Sequence, residues 1–194
     1  MPLSVADSLQ KLGLPGRITN LWIKQLQEPQ RHYHTLHHVE SLLTHLAPED
    51  ANPEMIAAIW LHDIVYDPTR GDNEERSAEQ ARFDLANSSI NVETVRRLIM
   101  GTKSHLADDE PQRAFNDLDL GILGADAESY DRYAEQIRRE YVFVDDASYR
   151  QGRAAILRDF DSRTIYQTER WQHREAQAHA NLQREITRLE SVEG

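Results

Sequence analysis

Ile56-Ala57-Ala58-Ile59-Trp60-Leu61-His62-Asp63-Ile64-Val65-Tyr66 is the stretch on which the reading of this chain turns. An unbroken apolar run, with none of the polar alternation of a half-buried strand, leads into an adjacent His-Asp pair. Asn52-Pro53 upstream reads as an N-cap and a first helical residue, followed by Met55, Ile56, Ile59 and Trp60. The pattern predicts a buried helix that delivers His62 and Asp63 at its end. A buried His beside a buried Asp is costly unless both are paired or hold a cation. Neighbouring residues on a helix point about 100° apart, so both side chains can reach one ion from the helix end.

Working outward, apolar spacing is helical almost throughout. Ile18, Leu21, Trp22 and Leu26 fit one helix face, and Val39, Leu42, Leu43 and Leu46 fit another. Further helices are expected over about 74–87, 92–103, 127–142, 146–160 and 169–190. The last carries a narrow apolar stripe of Trp171, Ala178, Leu182, Ile186 and Leu189 on an otherwise solvated surface. Tyr141-Val142-Phe143-Val144 is the one strand candidate. Asp67 to Asp72 and Leu106 to Gln112 read as loops. The expectation is an all-α chain, one helical bundle over residues 1–194 with 1–30 and 165–194 as peripheral helices.

Composition narrows the chemistry. The chain has no cysteine, so disulfides and thiolate sites are excluded and any metal must sit on imidazole and oxygen. A net charge of −11, with no basic stripe, argues against a nucleic-acid polymer or an anionic membrane as partner. Of the 22 basic residues 19 are arginine, a bias that fits phosphate binding but follows as readily from genome composition. No apolar run approaches the roughly 20 residues that span a bilayer. The N-terminus lacks a basic segment followed by a long apolar one, so the expected location is cytoplasmic.

Five of the nine histidines fall between positions 32 and 45. His34 and His38 are four apart, so on a helix they would share one face, where one could serve as a ligand while the other donates a proton. His45 shares that face but lies too far along the axis for the same ion. Such a cluster alone reads equally well as surface or core polarity. Downstream, Asn116-Asp117-Leu118-Asp119-Leu120 alternates carboxylates with leucines. It is either a capping segment with a solvated Asp or a further ligand brought from a distant helix.

The order His, His-Asp, Asp resembles the HD superfamily of metal-dependent phosphohydrolases, and within it a small bacterial group of predicted hydrolases. The similarity takes in Tyr33-His34 to His38, Leu61 to Tyr66, Asn73-Glu74 with Ser77-Ala78, Thr102 with His105, and Asp117 to Leu120. It continues through Ile137-Arg138 with Glu140-Tyr141, Tyr149 with Gly152-Arg153, and Glu175 with Asn181-Leu182. The resemblance implies His38, His62, Asp63 and Asp119 as ligands, Asp119 being preferred to Asp117 as the second Asp of Asp-x-Asp. It gives His34 the role of general acid. HD proteins with two metals usually supply two more histidines before the last Asp, and here only His105 stands there. One tightly held ion is therefore expected, with Glu74, His105 and Asp117 as candidates for supporting the ligands or a weaker second ion bridged by Asp63.

Such a nitrogen and oxygen set suits Mn, Fe, Co, Ni, Zn or, less well, Mg. The implied activity is hydrolysis of a small phosphorylated substrate, a nucleotide among the options, by metal-activated water. Lys103, Arg138 and Arg153 are candidates for neutralising the phosphoryl oxygens, each being otherwise an ordinary solvated charge. A homodimer is compatible with this reading. An HD-type di-iron oxygenase and a non-catalytic nucleotide-sensing HD protein are the alternatives.

Overall fold

The computed structural model describes residues 2–191. Among these the chain is all-α, with eleven α-helices, two short 3₁₀ turns and no strand. No helix among them is long and apolar enough to cross a membrane. The chain divides into two compact units, 1–118 and 119–194.

The first unit is built around α4 (Pro53–Leu61), in which every residue from Met55 to Leu61 is buried. The Asn52 side chain accepts the Met55 N–H at 2.9 Å and Pro53 opens the first turn, as the sequence suggests. A helix buried on all sides needs neighbours on all sides. They are α1 (Val5–Leu12), α3 (Leu36–His45), α5 (Asn73–Asp84) and α6 (Val92–Gly101). Two tryptophans anchor the packing with satisfied indoles. Trp60 donates to Ser8 Oγ at 3.0 Å, and Trp22, on α2 (Gly16–Gln25), donates to Asp84 Oδ2 at 2.7 Å. Each fully buried Ile or Leu here is worth about 1.5–3 kcal/mol of transfer free energy. Val39, Leu42, Leu43 and Leu46 are all buried as expected, but Leu21 is exposed and its neighbour Thr19 is buried instead.

Two boundaries differ from expectation for local reasons. The segment read as a loop up to Gln112 is already helical from Glu110, in α7 (Glu110–Asp119). Asp109 Oδ1 accepts the Gln112 N–H at 2.9 Å, and Pro111 occupies the first turn, where a missing N–H costs nothing. The Tyr141–Val144 segment is a turn. The Arg138 guanidinium donates to Tyr141 O at 2.7 Å and Val144 O at 3.1 Å, curling the chain back over the end of α8 (Ala127–Glu140).

In the second unit, α9 (Asp146–Asp161) packs along α11 (Glu175–Glu190). Arg153 and Glu185 form a buried two-pronged pair at 3.0 and 3.2 Å, and Tyr130 OH donates to the same carboxylate at 2.6 Å. The helix expected over 169–190 is broken into α10 (Glu169–Gln172) and α11. The Glu175 carboxylate explains the break. It turns back to accept Ile165 N–H at 2.7 Å and Tyr166 N–H at 2.9 Å, so the chain reorients before α11 starts.

His179 bridges Asp161 at 2.7 Å and this same Glu175 at 3.1 Å. Partial burial pulls its pKa down, but the hydrogen bonds to the two carboxylates outweigh that and hold it above the ordinary 6.5. A raised folded-state pKa adds stability that is fully present below the unfolded value and is lost as pH rises through the folded value. The melting-temperature gap between the wild type and His179→Gln should thus be widest on the acid side of about pH 6.5 and narrow as the pH rises above it. A gap that stays constant across that range would show that protonation of His179 contributes nothing.

Candidate metal centre

His38, His62 and Asp63 come together at the end of α4. The His38 and His62 Nε2 atoms lie 3.2 Å apart, and His62 Nε2 lies 2.9 Å from Asp63 Oδ2. One ligand atom from each residue falls within 4.8 Å of the others, so the group could hold a metal ion. Both histidines are buried, and about a fifth of the Asp63 side chain is exposed. The arrangement is thus closed behind and open on its carboxylate side.

The sequence produces this geometry locally. Thr35 caps α3, its Oγ1 accepting the His37 N–H at 3.3 Å, so that His38 lies in the first turn of that helix on the face toward α4. α4 ends with His62 as its C-cap. His62 Nδ1 lies 3.0 Å from Ile59 O. A carbonyl can only accept, so Nδ1 carries a proton, and Nε2 is the ring nitrogen that faces His38 and Asp63 and is left to ligate an ion. Fixing the tautomer through the far ring nitrogen is the usual way a protein orients a metal-ligating imidazole. Phe115 closes the back of the group, its ring edge-on to His62 at 5.7 Å. A divalent ion that accepts imidazole and carboxylate together fits this donor set.

His34 stands at the edge. Its Nε2 is 4.0 Å from Asp63 Oδ2, its ring is 6.2 Å from that of His38, and it is half-buried. It stacks on Tyr66 at 4.1 Å, which sets the plane of the imidazole. Tyr33 packs edge-on to His34 at 5.1 Å and against His38 at 4.9 Å.

The other sequence candidates are placed as follows. Asp119 is the last residue of α7 and the first of the second unit. Asp117 is fully buried in the last turn of α7, while Glu74 is half-buried in the first turn of α5. His105 adopts a left-handed backbone at φ 54° and its N–H closes on Gly101 O at 3.0 Å, ending the α6 segment. Lys103 is exposed and donates to Glu75 and to Gly71 O. Arg138 and Arg153 belong to the second unit. There Arg138 holds Asp146 at 2.6 Å besides its two carbonyls, and Arg153 holds Glu185. What residue-type reasoning passed over is the apolar and aromatic frame, Tyr66 and Phe115 above all. A ring that orients a ligand has no signature of its own beside the rings that merely fill a core.

No family model, no curated protein and no solved structure matches this chain.

Titrating Mn, Co, Ni or Zn into metal-free protein should raise its melting temperature, because an ion bound only by the folded state stabilises it, by about 2.7 kcal/mol at one hundred times the dissociation constant. His62→Gln should abolish the shift and the bound metal measured by elemental analysis. A melting curve indifferent to all four ions would overturn the centre.

Proposed function

We propose that this chain is a metal-dependent phosphohydrolase of the HD type, acting on a small phosphorylated substrate. The observation that carries the reading is the convergence of two imidazole Nε2 atoms, 3.2 Å apart, with a carboxylate oxygen 2.9 Å from the His62 nitrogen, and a fourth ionisable side chain, His34, 4.0 Å from that carboxylate. The sequence resemblance supports it, since three of the four residues it implies as ligands, His38, His62 and Asp63, lie together. A divalent cation held there supplies Lewis acidity and lowers the pKa of a coordinated water.

The chain's own residues divide the remaining work. His38, His62 and Asp63 hold the cation, with the Ile59 carbonyl keeping the His62 tautomer fixed. The buried side of the group keeps bulk water from competing, which strengthens electrostatic interactions inside. His34, on the exposed side with its ring plane fixed by Tyr66, is placed to donate a proton to the leaving oxygen as the phosphorus–oxygen bond breaks. A group standing beside the ligands rather than among them can change its protonation state without releasing the ion.

The test is a panel of phosphoesters assayed with Mn, Co, Ni and Mg. His34→Ala should retain its metal and lose about 10²–10⁴-fold in rate on alkyl esters, whose leaving groups need protonation. Nitrophenyl esters should suffer less. Loss of metal as severe as in His62→Ala would make His34 a ligand instead. Full activity on every ester would reduce it to a wall of the pocket. Metal-loaded wild type releasing phosphate from no ester would sink the phosphohydrolase reading, and iron-dependent oxygen uptake in its place would favour an oxygenase.

A further inference from the structure

The two segments that carry the ligands come from different parts of the chain, and one buried cation joins them. Arg31 Nη1 donates to His34 O at 3.0 Å and to Asp63 O at 2.7 Å. Its Nη2 donates to Ile64 O at 2.8 Å, and its Nε to Glu28 Oε2 at 3.2 Å. The Arg31 side chain has no exposed surface, whereas that of Glu28 is 40% exposed. Burying a guanidinium is costly unless its donors are met, and here three of the four contacts are main-chain carbonyls. Two of those, Asp63 O and Ile64 O, follow the C-terminal end of α4, where the helix dipole favours a cation. The opposite edge of the same strip is held by Ser77 Oγ, which accepts from Val65 N at 3.1 Å and donates to Val65 O at 3.3 Å.

From this we infer that Arg31 is the positioning residue of the metal centre: it sets the distance between the His34–His38 segment and the His62–Asp63 segment. A single nitrogen, Nη1, is bonded to both. The same guanidinium lies 5.6 Å from the Tyr66 ring, which stacks on His34. Arg31 therefore fixes the backbone of His34 directly and its ring plane through Tyr66. Lysine cannot replace it. An ammonium is a compact point donor that can at most bridge His34 O and Asp63 O, whereas the planar fork also holds Ile64 O through Nη2 and Glu28 through Nε. The inference rests on the metal-centre reading, and on hydrolysis only for its last consequence.

The experiment compares wild type, Arg31→Lys and Glu28→Gln by Co titration, visible absorption of the Co-loaded form, and thermal unfolding of the metal-free form. Arg31→Lys should bind Co about 10–100-fold more weakly, as loss of groups that orient ligands usually does, with an altered visible spectrum. Glu28→Gln leaves the carbonyl contacts intact at a half-exposed position; it should weaken Co binding by about 2–10-fold through a looser Arg31. If Arg31→Lys does not fold, the Glu28→Gln affinity decides. Methylguanidinium added to Arg31→Gly should restore Co affinity. A lowered melting temperature with unchanged Co affinity and spectrum would overturn the inference and leave Arg31 as a purely structural cap. Wild type that binds no Co would overturn it together with the metal centre. Wild type that binds Co tightly but hydrolyses no phosphoester would sink the proposed reaction and leave the Arg31 result standing.

Discussion

A helix with no solvent-facing side has to end somewhere, and the way α4 ends governs the first unit. From Met55 to Leu61 the chain is wholly buried, so its terminal carbonyls and the polar residues that follow emerge in the interior. Unmet, each would cost the full desolvation of a polar group. Several find partners there. His62 donates to Ile59 O, Arg31 collects Asp63 O and Ile64 O, and Ser77 takes both main-chain groups of Val65. The polar chemistry at the end of the apolar helix and the candidate metal centre are thus one solution to one problem. The hydrogen bond that satisfies a carbonyl also fixes the tautomer of a ligand.

The second unit meets buried polarity differently. Arg153, Glu185 and Tyr130 form a buried set in which one carboxylate accepts from Arg153 Nε, Arg153 Nη2 and Tyr130 OH. Such a set resists removal of any single member more than it adds net stability over an apolar equivalent. The Arg31 cluster is less symmetric, because a buried cation is met by neutral carbonyls and one half-exposed carboxylate. The asymmetry suits a residue that holds backbone in place rather than one that neutralises a partner.

Much of the fold was legible because its signals are local. Asn52-Pro53 caps a helix where the apolar period begins, and the fully apolar run before His62 could only be buried. Readings failed where a side chain acted over a distance the pattern does not encode. The continuous helix over 169–190 ignored the Glu175 carboxylate reaching back to Ile165 and Tyr166. The loop extending to Gln112 undervalued Asp109 as a cap and Pro111 as a first-turn residue. The strand over Tyr141–Val144 missed Arg138 gathering the carbonyls beyond its own helix.

The sequence by itself determined the all-α class, the exclusion of thiolate chemistry, and the residue types of the candidate centre, because a helical period, an absent cysteine and an apolar run ending in His-Asp are properties of the chain alone. Only the tertiary structure decided which residues meet. It put His38 and His62, 24 positions apart, with their Nε2 atoms at 3.2 Å, and it set His34 beside the group rather than within it. It also gave Arg31 its place, which no spacing could reveal, since its partners are main-chain carbonyls. Every residue type carries the same carbonyl, so the order of side chains holds no record of which ones an arginine will find.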